Sequence, residues 1–108
     1  MSVWEVCWKP EALRDLERLD ASKARRVLAQ VRRVALNPRP RSQGGYGKPL
    51  GNKGGLDLVG LCEVKLWGDG IRVIYGLEER EGKMVVVVVG LRSDNEVYRL
   101  AARRMRRR

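Results

Sequence analysis

Apolar and polar residues alternate from Val3 to Trp8, a period of two that predicts a short strand. Pro10 then suits the first position of a helix, where its missing N–H would have had no partner. Leu13, Leu16 and Leu19 recur three apart and form one apolar stripe. Asp20 or Ser22 is placed to cap a second helix. Its apolar face is Ala24, Val27, Leu28, Val31 and Ala35, while Arg25, Arg26, Arg32 and Arg33 occupy the other. Asn37-Pro38 ends it, because a residue before proline disfavours the helical conformation.

Residues 37–55 (NPRPRSQGGYGKPLGNKGG) are dense in Gly, Pro and basic side chains. They read as a long loop, either a functional or mobile segment or a plain connector. Three strands follow, at about 58–67, 71–78 and 83–90. Val85 to Val89 is apolar at every position, which places that strand mid-sheet with both faces covered. Ser93 and Glu96 have capping-box spacing and open a last helix with Val97, Leu100, Ala101 and Met105 inward. The order is β-α-α-β-β-β-α, an α+β chain read as one domain over 1–108 without internal repeats.

The connection Gly68-Asp69-Gly70 carries the Asp-Gly signal of a two-residue hairpin turn. With that turn, Gly68 opposes Ile71 and Trp67 opposes Arg72. Glu63, Lys65, Trp67, Arg72 and Ile74 then share one face, and Val64, Leu66, Val73 and Tyr75 share the core face. A three-residue loop would set Arg72 opposite Leu66 and destroy this division. The third strand folds back along the second, so Arg92 returns near Arg72, with Tyr98 following on the last helix. Lys65, Arg72, Arg92 and Tyr98 are thereby gathered at one edge of the sheet. Like charges so close repel, and a bound anion relieves the cost.

Charge turns this geometry toward a substrate. The chain has 23 Lys+Arg against 13 Asp+Glu, a formal charge of +10. No acid occurs between Ala21 and Leu56, and the end from Arg99 to Arg108 adds six arginines. Such clustering is the footprint of a polyanion, nucleic acid first, with an acidic protein partner as the other reading. Arg41, Lys48 and Lys53 in the basic stretch, Trp67 in the hairpin, and Arg99 and Arg103 in the last helix are candidate RNA contacts. There is no histidine. Cys7 and Cys62 are lone thiols in apolar runs, which gives no metal site and no expected cofactor. The start lacks the pattern of a secretory signal, and no apolar run approaches the roughly 20 residues of a membrane span. A cytoplasmic, reduced protein is expected.

Several blocks carry a family resemblance: Val64-Lys65-Leu66, Ile71-Arg72-Val73-Ile74-Tyr75, Val89-Gly90-Leu91-Arg92 and Asn95-Glu96-Val97-Tyr98. With the two-helix opening ending at Asn37-Pro38 and the segment Lys48-Pro49-Leu50-Gly51, they resemble the RelE branch of the RelE/ParE toxins. Nearly the whole chain is covered, with 52–60 resembling an insertion. The resemblance implies a RelE-like α+β fold, with two N-terminal helices and a C-terminal helix around a four-stranded, mostly antiparallel sheet. It further implies a toxin of a type II toxin–antitoxin pair that cuts mRNA in the ribosomal A site. A small cognate antitoxin would neutralise it, and operator DNA would be reached through that antitoxin. By the same resemblance Lys65, Arg72, Arg92 and Tyr98 match catalytic positions, while Glu63 stands where RelE carries another lysine.

Cleavage by the RNA's own 2′-hydroxyl needs a base, stabilisation of a pentacoordinate phosphate, and a proton for the 5′-oxygen. Arg72 and Arg92 suit the phosphate. Glu63, Lys65 or a Tyr98 phenol acidified by neighbouring cations is available as base. No metal is expected. Arg72 paired merely with Asp69 or Glu63, and Arg92 with Asp94 or Glu96, would instead be structural. A ParE-like, non-catalytic inhibitor of DNA gyrase is the alternative from another class, and a remnant that only binds antitoxin and operator DNA is a third.

Overall fold

The computed structural model describes residues 4–66, 68, 70–91 and 96–106. The amino-terminal alternation becomes β1 (Glu5–Trp8), and Pro10 opens α1 (Pro10–Glu17) as its first residue. Asp20 caps α2 (Ala21–Val34), its carboxylate accepting from the Lys23 N–H at 2.9 Å and the Ser22 hydroxyl at 3.0 Å. The chain continues through β2 (Lys48–Lys53), β3 (Leu56–Leu66), β4 (Ile71–Glu78), β5 (Lys83–Leu91) and α3 (Glu96–Arg106). The proposed Ser93 cap of α3 lies outside the described residues.

The sheet has five strands in the order β1-β5-β4-β3-β2, with β1 parallel to β5 and the other pairs antiparallel. The fold class is the expected α+β one, but the strand count is not the expected four. The extra strand, β2, lies inside the segment expected to be a loop. Its Pro49 and Gly51 argue against a strand interior, and both are tolerated because β2 is an edge with a register break between them.

Helices cover both faces of the sheet. Under α1 and α2, Ala12, Val27, Val31 and Val34 pack on Cys62, Leu66, Ile71, Val73, Tyr75, Met84, Val86 and Val89. Under α3, Val97, Tyr98, Ala101 and Ala102 pack on Leu58, Leu61, Ile74, Val87 and Val88. β5 serves both layers through a bulge: Ile74 faces Val88 and Tyr75 faces Val86, so Val87 is the additional residue and lies with Val88 beneath α3. Gly90 lets α3 approach, since a Cβ there would come within 2.7 Å of Val97 Cγ1. The expected inward stripes shift slightly. Leu13 and Met105 are exposed, and Ala12, Asp15, Tyr98 and Ala102 are buried instead.

The segment after α2 is folded back on itself rather than left as a plain connector. Tyr46 N–H donates to Asn37 O at 3.0 Å, Gly47 N–H to Arg39 O at 3.1 Å, and Arg41 N–H to Gly47 O at 2.9 Å. Below it the buried Tyr75 hydroxyl donates to Pro38 O at 2.9 Å. Only glycine fits at 47, where a Cβ would strike Tyr75 Oη and Cys62 Sγ, and at 45, where it would strike the Arg39 backbone.

β1 ends its pairing at Trp8 opposite Val86, which leaves the outer edge of β5 beyond that point to be satisfied differently. Asp15 of α1 accepts from the Val89 N–H at 3.0 Å, and Arg104 of α3 donates to Val87 O at 2.8 Å. The two side chains also pair with each other through both carboxylate oxygens, at 2.7 and 3.2 Å. This ion pair, with side chains only 7% and 12% exposed, clasps helices from opposite faces around the strand edge. Removing one member leaves a buried charge without its partner. Asp15→Ala and Arg104→Ala are each expected to cost roughly 3–5 kcal/mol, and Asp15→Leu/Arg104→Met much less than their sum. Urea unfolding of the three variants measures this, and additive losses would show that the pair is not coupled.

Candidate functional site

The β3–β4 register decides which side chains meet. Lys65 lies opposite Arg72, Val64 opposite Val73, and the last pair is Leu66 with Ile71. The expected register, with Trp67 opposite Arg72, is therefore corrected. The displacement is by two positions along the ladder, so every side chain keeps its face. Glu63, Lys65, Arg72 and Ile74 share the α3 side, as the alternation predicts. β2 adds Lys48, directly opposite Glu63.

Glu63 is 1% exposed, an uncommon location for a carboxylate. Its Oε1 accepts from the Tyr98 hydroxyl at 2.9 Å and lies 3.7 Å from Arg72 Nη1, which itself donates to the Tyr98 oxygen. Lys48 Nζ lies 3.7 Å from Oε2, and that buried oxygen has no hydrogen-bond partner among the described residues. Lys53 Nζ sits 4.7 Å from the centre of the Tyr98 ring. Cations on β2, β3 and β4 thus surround one buried carboxylate and one phenol.

Two groups respond to this field. The Tyr98 phenol is pushed above its ordinary pKa by burial and by the Glu63 acceptor, with Arg72 opposing. It is held neutral, opposite to the acidified phenol considered from sequence. The Lys65 ammonium is pushed below its ordinary pKa, first by the charge of Lys48, then by burial and Arg72, against the pull of Glu63. Lys65 is also partly exposed, whereas Glu63 and Tyr98 are enclosed.

The structure therefore brings together Glu63, Lys65, Arg72 and Tyr98, and adds Lys48 and Lys53 from the RNA-contact candidates. Arg92 and Trp67 lie outside the described residues, as does Asp69. Arg99 and Arg103 are exposed on α3, on the side away from its buried Val97, Tyr98, Ala101 and Ala102. Arg41 lies instead in an adjoining cleft of about 430 Å³, where Gln30, Arg33 and Val34 of α2 face Tyr46, Lys48 and the Glu63–Lys65 stretch of β3. Arg33 and Tyr46 were not singled out from sequence. The available signal was a tyrosine set between glycines in a basic loop.

Comparison with known proteins bears on the sequence and the fold as a whole. No model of a known protein family matches the chain. It is 27% identical over 103 residues to a putative RelE-like toxin protein of Escherichia coli, covering 95% of this chain and 98% of that one. An arginine-to-alanine double mutant of the E. coli toxin RelE in its free state superposes with a TM-score of 0.77 at 19% identity, covering 96% and 99% of the two chains. The toxin–antitoxin complex RelBE2 of Mycobacterium tuberculosis matches at 26% identity and a TM-score of 0.57, covering 87% of this chain and 97% of that one. In sequence the chain is similar to a RelE-like toxin, and in fold it is that of the RelE toxin structures.

Proposed function

We propose that this toxin is an mRNA endonuclease acting in the ribosomal A site, and that it cleaves by attack of the substrate's own 2′-hydroxyl. The observation that carries the reading is the Lys65–Arg72 cross-strand pair, flanked by Lys48 and Lys53 and anchored on the buried Glu63–Tyr98 bond. A purely ParE-like role as a binder would not require a lysine with a depressed pKa inside a cluster suited to phosphate.

Each residue then has a task. Tyr98 and Glu63 fix the Arg72 guanidinium, whose remaining N–H groups face the scissile phosphate and the charge that develops on it. Lys65 accepts the 2′-proton, because among the three candidate bases it is the one both accessible and shifted toward neutrality. The 2′-oxygen bonds to phosphorus, the bond to the 5′-oxygen breaks, and an ammonium of the cluster such as Lys48 returns a proton to the leaving oxygen. The products are a 2′,3′-cyclic phosphate and a 5′-hydroxyl. Arg92, by its family resemblance, is a second phosphate ligand. A cognate antitoxin is the expected partner, as in the RelBE complex that the chain resembles.

In a translation reaction with a defined mRNA, the chain is expected to produce cuts with 5′-hydroxyl ends, unaffected by chelation of free metal beyond what translation itself requires. Arg72→Ala is expected to lower cutting at least 100-fold while the protein still folds and binds antitoxin. 5′-Phosphate ends, or full activity in that variant, would contradict the mechanism.

The base assignment has its own pH signature. Because the Lys65 pKa is lowered, its neutral fraction grows as pH rises through a value below 10.5, and single-turnover cleavage should rise with it. Lys65→Arg keeps the charge and loses the base. It is expected to reduce the rate by about 10²–10⁴-fold and to flatten the pH profile. A variant retaining the wild-type rate and slope would reduce Lys65 to a charge contact.

A further inference from the structure

The cleft beside the cleavage cluster has a composition of its own. β2 covers β3 only as far as Lys48 opposite Glu63, and past that point the gap toward α2 is open. Arg33 of α2, Arg41 of the folded loop, and Lys48 and Lys65 of the sheet line the opening, with the buried Glu63 as its one acid. Its volume of about 430 Å³ lies within the range of small-ligand clefts, roughly 300–1,000 Å³. Tyr46 stands in its wall, 45% exposed, with the Arg33 guanidinium carbon 5.7 Å from the ring centre. The loop that presents Tyr46 is tied down by its own backbone hydrogen bonds and by Gly45 and Gly47, so the ring is offered from a fixed support.

We propose that this cleft is a nucleotide subsite. Tyr46 stacks on one base of a single-stranded ribonucleotide chain, and Arg33 and Arg41 hold its phosphate. An aromatic ring beside guanidinium groups suits a base next to its phosphate, because every base has a π-face and every link a negative charge. The cleft shares Lys48, Glu63 and Lys65 with the cleavage cluster, so a strand entering one is led to the other. An acidic protein segment would satisfy the arginines and leave the ring without a role. The inference rests on the proposed endonuclease reading, for it names where a nucleotide flanking the cut is held.

Fluorescein-labelled 2′-O-methyl oligoribonucleotides, which bind without being cleaved, test it on the full chain by anisotropy across a salt series. A tetranucleotide should bind more tightly than a dinucleotide. Tyr46→Ala should weaken the tetranucleotide about tenfold, leave the dinucleotide unchanged, and be rescued by Tyr46→Phe. Arg33→Ala and Arg41→Ala should each flatten the dependence of log K on log salt by about 0.7. Equal binding of both lengths, no effect of Tyr46→Ala, or weakening confined to antitoxin binding would overturn the subsite. The Arg72→Ala cleavage assay separates the two ideas. If that variant stops cutting while Tyr46→Ala changes nothing, the subsite alone falls. If the wild-type chain itself makes no cuts, the endonuclease reading falls and the subsite with it.

Discussion

A carboxylate removed from water in a chain of net charge +10 must be matched, and the way Glu63 is matched organises the cationic side of this protein. One oxygen accepts a hydrogen bond from the Tyr98 hydroxyl, which fixes α3 over the sheet. Arg72 is held by the same phenol and draws toward the same oxygen, so its guanidinium has one setting. Lys48 faces the second oxygen from β2. A neutral residue at 63 would remove the charge that offsets the mutual repulsion of Lys48, Lys65 and Arg72 on adjacent strands. The buried charge is thus what allows three cations to be stored beside one another before any substrate arrives.

That arrangement depends on where α3 lies, and α3 is located from a second place. Gly90 lets its first turn sit close against β5, and Arg104 near its other end is drawn round the strand edge to Asp15. The bulge at Val87 turns two successive valines toward α3 and widens the contact. Tyr98 reaches Glu63 because the helix is held at both ends. The link runs from a strand-edge problem, the unpaired groups of Val87 and Val89, to the position of a phenol in the site.

Much of this was legible in the sequence, for a definite reason. Side chains alternate on a strand with a period of two, so the sharing of a face by Glu63, Lys65 and Arg72 survived a register displaced by two positions. The valine run of β5 and the stripe of α2 were legible because burial there is apolar and periodic. The Asp15–Arg104 clasp was not, since polar residues inside a helix–sheet interface break the periodic signal that reveals it. β2 was not legible either, because Lys48-Pro49-Leu50-Gly51-Asn52-Lys53 has the composition of a loop and is a strand only by pairing with β3. The neutral state of Tyr98 depends on depth and on a long-range acceptor, neither of which local sequence encodes.

The strand that composition concealed is also the one that sets the electrostatics around Lys65. The largest influence on Lys65 is the charge of Lys48, and Lys48 is near it only because β2 pairs with β3 at Glu63. With residues 48–53 as a free loop, Lys48 would be solvated at a variable distance and screened. Lys65 would then lose the largest of the influences that lower its pKa. The pairing also carries Lys53 to the ring of Tyr98, which Arg72 approaches as well. In this fold the electrostatic setting of one lysine therefore follows from the edge pairing of a segment with almost no strand propensity of its own.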